Sequence, residues 1–200
     1  MKVAIFDLET FSLHADTGIL LCAVIKEYGT DKPPVILRAD QFPNWKNGRS
    51  NARPMAEAVI RALDGTLDKS GDCVEGSEGY DIFVAHNGTY FDRSMLISYA
   101  LKYKLPVFLR FAKFIDPCQL SRRHLKLARN SLDKLIRWLD VEDEKTPILW
   151  EHWQKAAFDG NSKSLDYIVE HCVADVKALE GVYRKMKRLV KTVDEKGSSY

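Results

Sequence analysis

Three apolar, strand-like segments lie close together before the first long helical pattern, and this order limits the folds open to the chain. They are "KVAIFDLE", "GILLCAVIKEY" and "PPVILRAD", and the turn-like "GTDKPP" joins the second to the third. The segment "ARPMAEAVIRALDGTLDKS" follows, with good helix formers and apolar residues at helical spacing. Residues 1–70 are therefore predicted to supply three strands and a helix.

The rest of the chain first alternates strands with helices and then becomes helical. "DIFVAH" and "FAKFID" are predicted as strands on either side of the helical "NGTYFDRSMLISYALKYK", whereas "GDCVEGSEGY" is predicted as a surface loop. After Asp116 we predict helices in "SLDKLIRWLDV", "ILWEHWQKAAFDGN" and "SKSLDYIVEHCVADVKALEGVYRKMKRLVKTV". This order predicts an α/β domain over residues 1–192, a mixed sheet with helices on both faces, and a flexible tail over 193–200.

Composition is typical of a soluble globular protein, with 46% hydrophobic and 29% charged residues among 200. No apolar run approaches the roughly 20 residues that cross a bilayer, and "MKVAIFDLET" turns acidic before a signal peptide could form. We therefore expect a cytoplasmic protein. Four cysteines lie far apart without a C-x-x-C pair, which argues against a zinc knuckle or a disulfide framework.

The net charge of +2 does not by itself indicate a nucleic-acid binder. The segment 110–129 is more basic, because its only acid is Asp116. Its basic residues are Arg110, Lys113, Arg122, Arg123, Lys126 and Arg129. Such a run is either a solvated helix face or a patch that faces phosphates, and both interpretations stay open.

Asp7 and Glu9 are two residues apart on an otherwise apolar strand, so their side chains share one face. Two carboxylates directed together from a buried strand repel each other unless a cation lies between them, and Mg²⁺ or Mn²⁺ prefers such oxygen ligands. The alternative is that both acids are exposed at the strand end.

Two further acids are candidates for the same site. Asp92 lies where a helix begins, and it either complements the helix dipole or belongs to a binding rim. Asp175 has apolar neighbours on its helix and faces either solvent or a site.

Three segments together resemble the motifs of the DEDD 3′–5′ exonuclease superfamily, which has the ribonuclease-H-like fold. The segments are "FDLET", "VAHNGTYFD" and "HCVADVKAL", and "IDPCQLSRRHLKLARNSLDKLIRWLDV" is similar to a segment of stand-alone members that resemble the exonuclease domains of family B polymerases. The resemblance extends from about residue 3 to about residue 186. The matching positions are Asp7 and Glu9 (D-x-E), Asn87, Phe91 and Asp92 (N-x3-F-D), and Asp175.

This resemblance implies a mixed five-stranded sheet whose first three strands are antiparallel, and a metal-dependent exonuclease. It implies that two ions, Mg²⁺ or Mn²⁺, lie about 4 Å apart and serve phosphodiester hydrolysis. The four carboxylates of Asp7, Glu9, Asp92 and Asp175 are the implied ligands and catalytic residues. The implied substrates are 3′ ends of single-stranded DNA or RNA, with any polymerase or repair partner acting in trans. The alternatives are a structure-selective or RNA-trimming nuclease, or a non-catalytic nucleic-acid-binding module.

His171 stands four residues before Asp175, and a helix places such a pair on one face. One branch of the superfamily has a tyrosine four positions before this aspartate, and the other has a histidine five positions before it. This chain combines the histidine with the shorter spacing. Because imidazole titrates near neutral pH, we predict that His171 accepts the proton of the attacking water. The alternatives are a polar histidine on the rim, or Tyr167 reaching the site in its place.

Several further residues are candidates for substrate binding, namely Thr10, Phe11, Asn87, Arg122 and Arg123. Thr10 and Phe11 follow the first motif, where an aromatic ring can stack on a terminal nucleotide. Asp116 precedes a proline, and a capping role is at least as plausible as a catalytic one. Trp138, Trp150 and Trp153 have helical spacing and are predicted to be core residues, whereas Trp45 is predicted to be exposed.

Overall fold

A mixed sheet of five strands forms the centre of the computed structural model, which describes residues 1–43, 45–46, 52–67, 73–105, 113–142 and 147–190. The strands among the described residues are β1 (Val3–Thr10), β2 (Leu20–Glu27), β3 (Val35–Arg38), β4 (Gly65–Leu67), β5 (Cys73–Glu78), β6 (Ile82–Val84) and β7 (Lys113–Ile115). The central sheet has the order β3-β2-β1-β6-β7. Its first three strands are antiparallel, and β6 and β7 run parallel to β1. The predicted mixed five-stranded sheet is confirmed.

In the part of the chain that the structure describes, six α-helices accompany this sheet. They are α1 (Ala52–Asp64), α2 (Asp92–Tyr103), α3 (Pro117–His124), α4 (Leu132–Trp138), α5 (Trp150–Phe158) and α6 (Ser162–Met186). Helix α6 packs against β1 and β2 and also contacts α5, whereas α1 packs against β2, β3 and α2. Short 3-10 turns at Ala39–Gln41 and Lys187–Leu189 complete the described elements.

The burial of β1 and β2 explains why these strands occupy the middle of the sheet. All residues of β2 from Leu20 to Ile25 are buried, as in a strand that is covered on both faces. In β1 the ring of Phe6 meets those of Phe83 and Phe114 edge-on, at centroid distances of 6.3 and 6.2 Å. The Asp7 side chain therefore projects from a strand whose neighbouring residues are packed in the core.

The local predictions that differ from the structure concern a turn and three tryptophans. Gly65 adopts φ 85°, and α1 ends at Asp64, six residues before the predicted Ser70. The next residues form β4, which pairs with β5, a strand inside the predicted "GDCVEGSEGY" loop. Trp45 is 7% exposed and belongs to the core. Trp138 and Trp150 are 59% and 50% exposed, so helical spacing alone did not identify the buried face correctly.

Some predictions lie outside the described residues. These are the tail over 193–200, the end of the last helix beyond residue 190, and Arg110 of the basic segment. The assignment of residues 1–192 to a single domain stays a prediction. Among the helices that the structure describes, none combines the length and the apolar character needed to cross a membrane.

Candidate active site

Asp7 and Glu9 lie on the same face of β1, near the end of the strand. The backbone register with β2 shifts directly after Glu9. Both side chains are half-buried, and one donor atom from each lies within 4.8 Å of the other and of the Cys172 thiol sulfur. The predicted pairing of the two acids follows from the two-residue repeat of the strand.

Asp92 connects the start of α2 to β1. The backbone N–H of Leu8, between the two acids of β1, donates to Asp92 Oδ1 at 2.9 Å. The Asp92 carboxyl is completely buried, and this desolvation, reinforced by the negative charge of Asp7, holds its pKa well above the ordinary value of 3.8. Two sequence segments more than 80 residues apart therefore meet at one point of the central strand.

Helix α6 contributes His171, Cys172 and Asp175 to the same region. His171 Nε2 lies 3.7 Å from Asp175 Oδ2 and 3.8 Å from Glu9 Oε1, so the imidazole faces both carboxylates. The expected alignment of His171 with Asp175 on one helix face agrees with this contact. His171 is 2% exposed, and its ring meets that of Trp153 edge-on at 5.5 Å.

Two contacts at the site were not predicted from the sequence. The indole Nε1–H of Trp153 donates to Glu9 Oε2 at 3.0 Å, and the Cys172 thiol lies 3.5 Å from both the backbone oxygen and Oδ2 of Asp7. Cys172 stands three residues before Asp175, so helical periodicity could have identified it. Trp153 comes from α5, and no local pattern relates its position to Glu9.

Asp116 orients the loop that carries the second motif. Its carboxylate caps α3 by accepting from the N–H of Cys118 at 2.9 Å, and it also accepts from the N–H groups of Asn87 and Thr89 at 2.9 and 3.2 Å. Asn87 adopts φ 59°, and a Cβ added to Gly88 would lie 2.4 Å from that of Ala85. The capping role of Asp116 agrees with its predicted alternative, and the tight loop requires glycine.

A cavity of about 460 Å³ opens between these elements. It is lined by Asp7, His86, Asn87, Cys118, Arg122, Asn130, Ser131, Leu132 and Asp175. The exposed Arg122 thus shares a cavity with two of the acids. Arg123 lines a different cleft of about 550 Å³, together with Lys113 and His124. The two predicted arginines therefore lie on different surfaces.

Thr10 and Phe11 leave β1 in different environments. Thr10 is buried, and its hydroxyl donates to the Ser12 backbone oxygen at 2.6 Å. Phe11 belongs to what we term the aromatic row, which consists of Phe158, Phe11, Trp150 and Trp153. Phe11 meets Phe158 edge-on at 4.5 Å and stacks on Trp150 at 5.4 Å, and Trp150 is nearly parallel to Trp153 at 6.3 Å. The row therefore extends from the surface to the indole that holds Glu9.

The acids of this site fit a divalent cation. Among the described residues, nothing donates a hydrogen bond to Asp92 Oδ2, although this oxygen is buried, and the adjacent Asp7 adds a second negative charge. Buried carboxylates without such compensation are costly, and a hard cation accepts oxygen ligands of this kind. The residues positioned to hold it are Asp7, Glu9, Asp92 and Asp175, with the Cys172 sulfur also at ligand spacing.

Comparison with known proteins agrees with this architecture. A family model described as the RNase H superfamily matches residues 4–187, and no curated protein sequence matches the chain. The family B DNA polymerase from the hyperthermophilic archaeon Pyrobaculum calidifontis superimposes with a TM-score of 0.68 at 15% identity, over 94% of this chain and 24% of the polymerase. This chain thus spans about a quarter of that protein.

Two smaller proteins are also similar. A structure described as the apo form of the nuclease has a TM-score of 0.51 at 14% identity, covering 93% of this chain and 73% of its own. NrnC from Brucella melitensis, in a structure with pGG bound, has a TM-score of 0.49 at 17% identity, covering 93% and 74%. At these identities the likeness to the polymerase and to the apo nuclease concerns the fold alone.

Proposed function

Because the chain belongs to the RNase H superfamily, we propose that it is a divalent-metal-dependent 3′–5′ exonuclease that acts on single-stranded DNA or RNA. The observation that carries this proposal is the meeting of three separate sequence motifs around one strand. Asp92 bonds to the backbone between Asp7 and Glu9, and His171 faces both Glu9 and Asp175. A purely structural cluster has no need of several acids from three elements, since each buried charge reduces stability.

The four carboxylates would hold two ions, Mg²⁺ or Mn²⁺. We propose that Asp7, Glu9, Asp92 and Asp175 together would supply the oxygen ligands for these ions. When bound, such ions would lower the pKa of the attacking water and neutralise charge on the leaving 3′ oxygen. Glu9 is oriented by the Trp153 indole, and Arg122 lines the cavity at a point where a phosphate would approach the acids. Asn87, held by Asp116, would contact the nucleotide backbone.

His171 is proposed to accept the proton of the attacking water. We expect His171→Ala to lower the hydrolysis rate about 10²-fold, because removing a general base has an effect of this order. Single-turnover cleavage of a 5′-labelled strand measures the rate, and the matched control is Glu170→Gln, an exposed neighbour on α6. A His171→Ala enzyme that retained the wild-type rate would show that the histidine only supports the carboxylates.

The aromatic row suggests how unpaired bases would be bound. Trp150 is half exposed and already stacks on Phe11, directly beside the indole that contacts Glu9. Bases of a single strand stack on such rings, and one stack contributes about 1–3 kcal/mol. Paired bases cannot insert in the same way. We therefore propose that Trp150 favours unpaired 3′ termini.

Trp150→Ala is expected to weaken the binding of a single-stranded oligonucleotide at least about fivefold, from the low end of that range. The measurement is fluorescence anisotropy with Ca²⁺ in place of Mg²⁺, so that the strand stays intact. Trp138→Ala is the matched control, because Trp138 is similarly exposed, at 59% against 50%, but lies on α4. Equal losses in both variants would contradict a specific stacking role.

The polarity of cleavage tests the proposed function directly. With Mg²⁺ or Mn²⁺, linear 5′-labelled DNA or RNA is expected to shorten from its 3′ end. A phosphorothioate at the last linkage is expected to slow that shortening, and a circular single strand is expected to survive. Cleavage of the circle would indicate an endonuclease in place of the exonuclease. A lack of metal-dependent cleavage of any strand would overturn the nuclease proposal and favour a binding module.

A further inference from the structure

The Cys172 thiol lies inside the acid cluster, where the four-carboxylate pattern requires no sulfur. Cys172 is completely buried, and its sulfur is 3.5 Å from Asp7 Oδ2. Donor atoms of Asp7, Glu9 and Cys172 all lie within 4.8 Å of one another. The next nitrogen donor is His171 Nε2, which is 3.8 Å from Glu9 Oε1. This set differs from an all-oxygen magnesium site.

The separation of the Cys172 sulfur and the Asp7 carboxylate oxygen matches that of two ligands on one tetrahedral ion. Zinc binds sulfur at about 2.3 Å and carboxylate oxygen at about 2.0 Å, and a tetrahedral angle between two such bonds separates the donors by about 3.5 Å. The distance between Cys172 Sγ and Asp7 Oδ2 is 3.5 Å. Thiolate and imidazole ligands favour Zn²⁺-class ions, whereas Mg²⁺ favours oxygen alone.

A second observation indicates that this region accommodates positive charge. The fully buried Asp92 carboxyl has one oxygen that no described residue bonds, and the negative charge of Asp7 acts directly on it. An ion held by Asp7 would offset the repulsion between these two acids. The thiol and the buried acid therefore both favour a cation at Asp7.

We propose that Asp7, Glu9 and Cys172 form a binding site for thiophilic divalent cations of the Zn²⁺ class, with His171 as the nearest fourth donor, and that such an ion displaces Mg²⁺ or Mn²⁺. The thiol releases its proton to the solvent as the sulfur–metal bond forms, so no oxidant or reductant is needed. This inference rests on the metal position of the proposed function, but it does not rest on nuclease activity. The competing explanation is that the thiol only donates a hydrogen bond to Asp7.

The test uses Co²⁺ as a spectroscopic substitute for Zn²⁺ in the full chain. Wild-type protein is expected to gain a near-ultraviolet band of thiolate-to-cobalt charge transfer that saturates with Co²⁺. Cys172→Ser is expected to lose this band and to bind Co²⁺ at least about 10-fold more weakly. Cys22→Ser is the matched control and is expected to keep the band, because Cys22 is equally buried against Cys172 but is outside the donor group.

Loss of the band in Cys22→Ser but not in Cys172→Ser would overturn the proposal, as would cobalt binding without any such band. X-ray absorption of the zinc-loaded wild type keeps the test valid even if Cys172→Ser fails to fold. One sulfur at about 2.3 Å among the zinc ligands is expected, and a set of nitrogen and oxygen ligands alone would overturn the assignment.

The competition between ions is measured without substrate, by using electron paramagnetic resonance to monitor the displacement of bound Mn²⁺ by Zn²⁺. Failure of these spectra would leave magnesium-supported cleavage intact, so the two proposals can be separated.

Discussion

Asp7→Asn is expected to reduce metal-dependent hydrolysis by at least about 10³-fold, the largest loss among the substitutions considered for this chain. Asp7 is the acid of the site that lies next to residues from both of the other motifs. Its carboxylate lies beside the Cys172 thiol and acts on Asp92, and it lines the cavity with Asp175. Removing its charge would weaken the binding of both proposed ions, and metal stabilisation of several kcal/mol corresponds to this factor.

The measurement is initial rate on a 5′-labelled single strand over a range of Mg²⁺ and Mn²⁺ concentrations. Asp81→Asn is the matched control, since Asp81 is an exposed aspartate just before β6, at the opposite end of the parallel strand pair. If Asp7→Asn regained the wild-type rate at high metal concentration, Asp7 would assist only in ion affinity. If it cleaved normally at all concentrations, the proposed site would be wrong.

Asp92→Asn is expected to stabilise the metal-free protein, raising its melting temperature by at least about 3 °C. Burial and the charge of Asp7 raise the pKa of Asp92 in the folded protein, so ionising this carboxyl costs more free energy in the folded state than in the unfolded state. The amide removes this charge and still accepts the Leu8 N–H at the Oδ1 position. A gain of about 1 kcal/mol shifts the melting temperature of a domain of this size by about 2–4 °C.

The pH dependence of this gain has a definite sign. A carboxyl whose folded-state pKa is raised keeps its proton in the folded state after losing it in the unfolded state, so stability falls as pH rises above 3.8. The difference in melting temperature between Asp92→Asn and wild type should therefore vanish below that pH and grow above it. Differential scanning fluorimetry across a pH series measures this difference.

Magnesium binding is expected to stabilise the wild-type protein through the same carboxylate, Asp92. A ligand at a hundredfold excess over its Kd stabilises the folded state by about 2.7 kcal/mol, and Asp92→Asn should lose most of this gain. Asp133→Asn is the control, because Asp133 forms a solvent-exposed ion pair with Arg137 on α4, away from the acid cluster. A destabilised Asp92→Asn, or one with an unchanged magnesium response, would contradict the role of Asp92 as a buried ligand.

The sheet could be predicted because the apolar pattern within each strand indicates which of its residues are buried. "LLCAVI" in β2 is apolar at every position, and such a run occurs where both faces are covered. The pairing of Asp7 with Glu9 and of His171 with Asp175 could also be predicted, since two-residue spacing on β1 and four-residue spacing on α6 define a shared face without knowledge of the fold. That Asp92 joins these pairs was implied only by the resemblance to the exonuclease superfamily.

The remaining contacts depend on tertiary structure. Trp153 and Trp150 are three residues apart on α5, yet one is 2% and the other 50% exposed. What separates them is the placement of α5 against α6 and β2, which no local period describes. The β4–β5 pairing was missed for a related reason, because "DCVEGSE" has the glycine and acidic residues of a loop and gains its order from a partner segment.

The contact between Cys172 and Asp7 joins residues 165 positions apart, and this separation has a consequence for how the protein is made. Asp7 and Glu9 are synthesised well before α6, which packs on β1 and supplies Asp175 and His171. Until then the central strand lacks one covering layer, and long-range closure of this kind is slow. A nascent chain therefore cannot assemble this acid cluster until α6 has been synthesised.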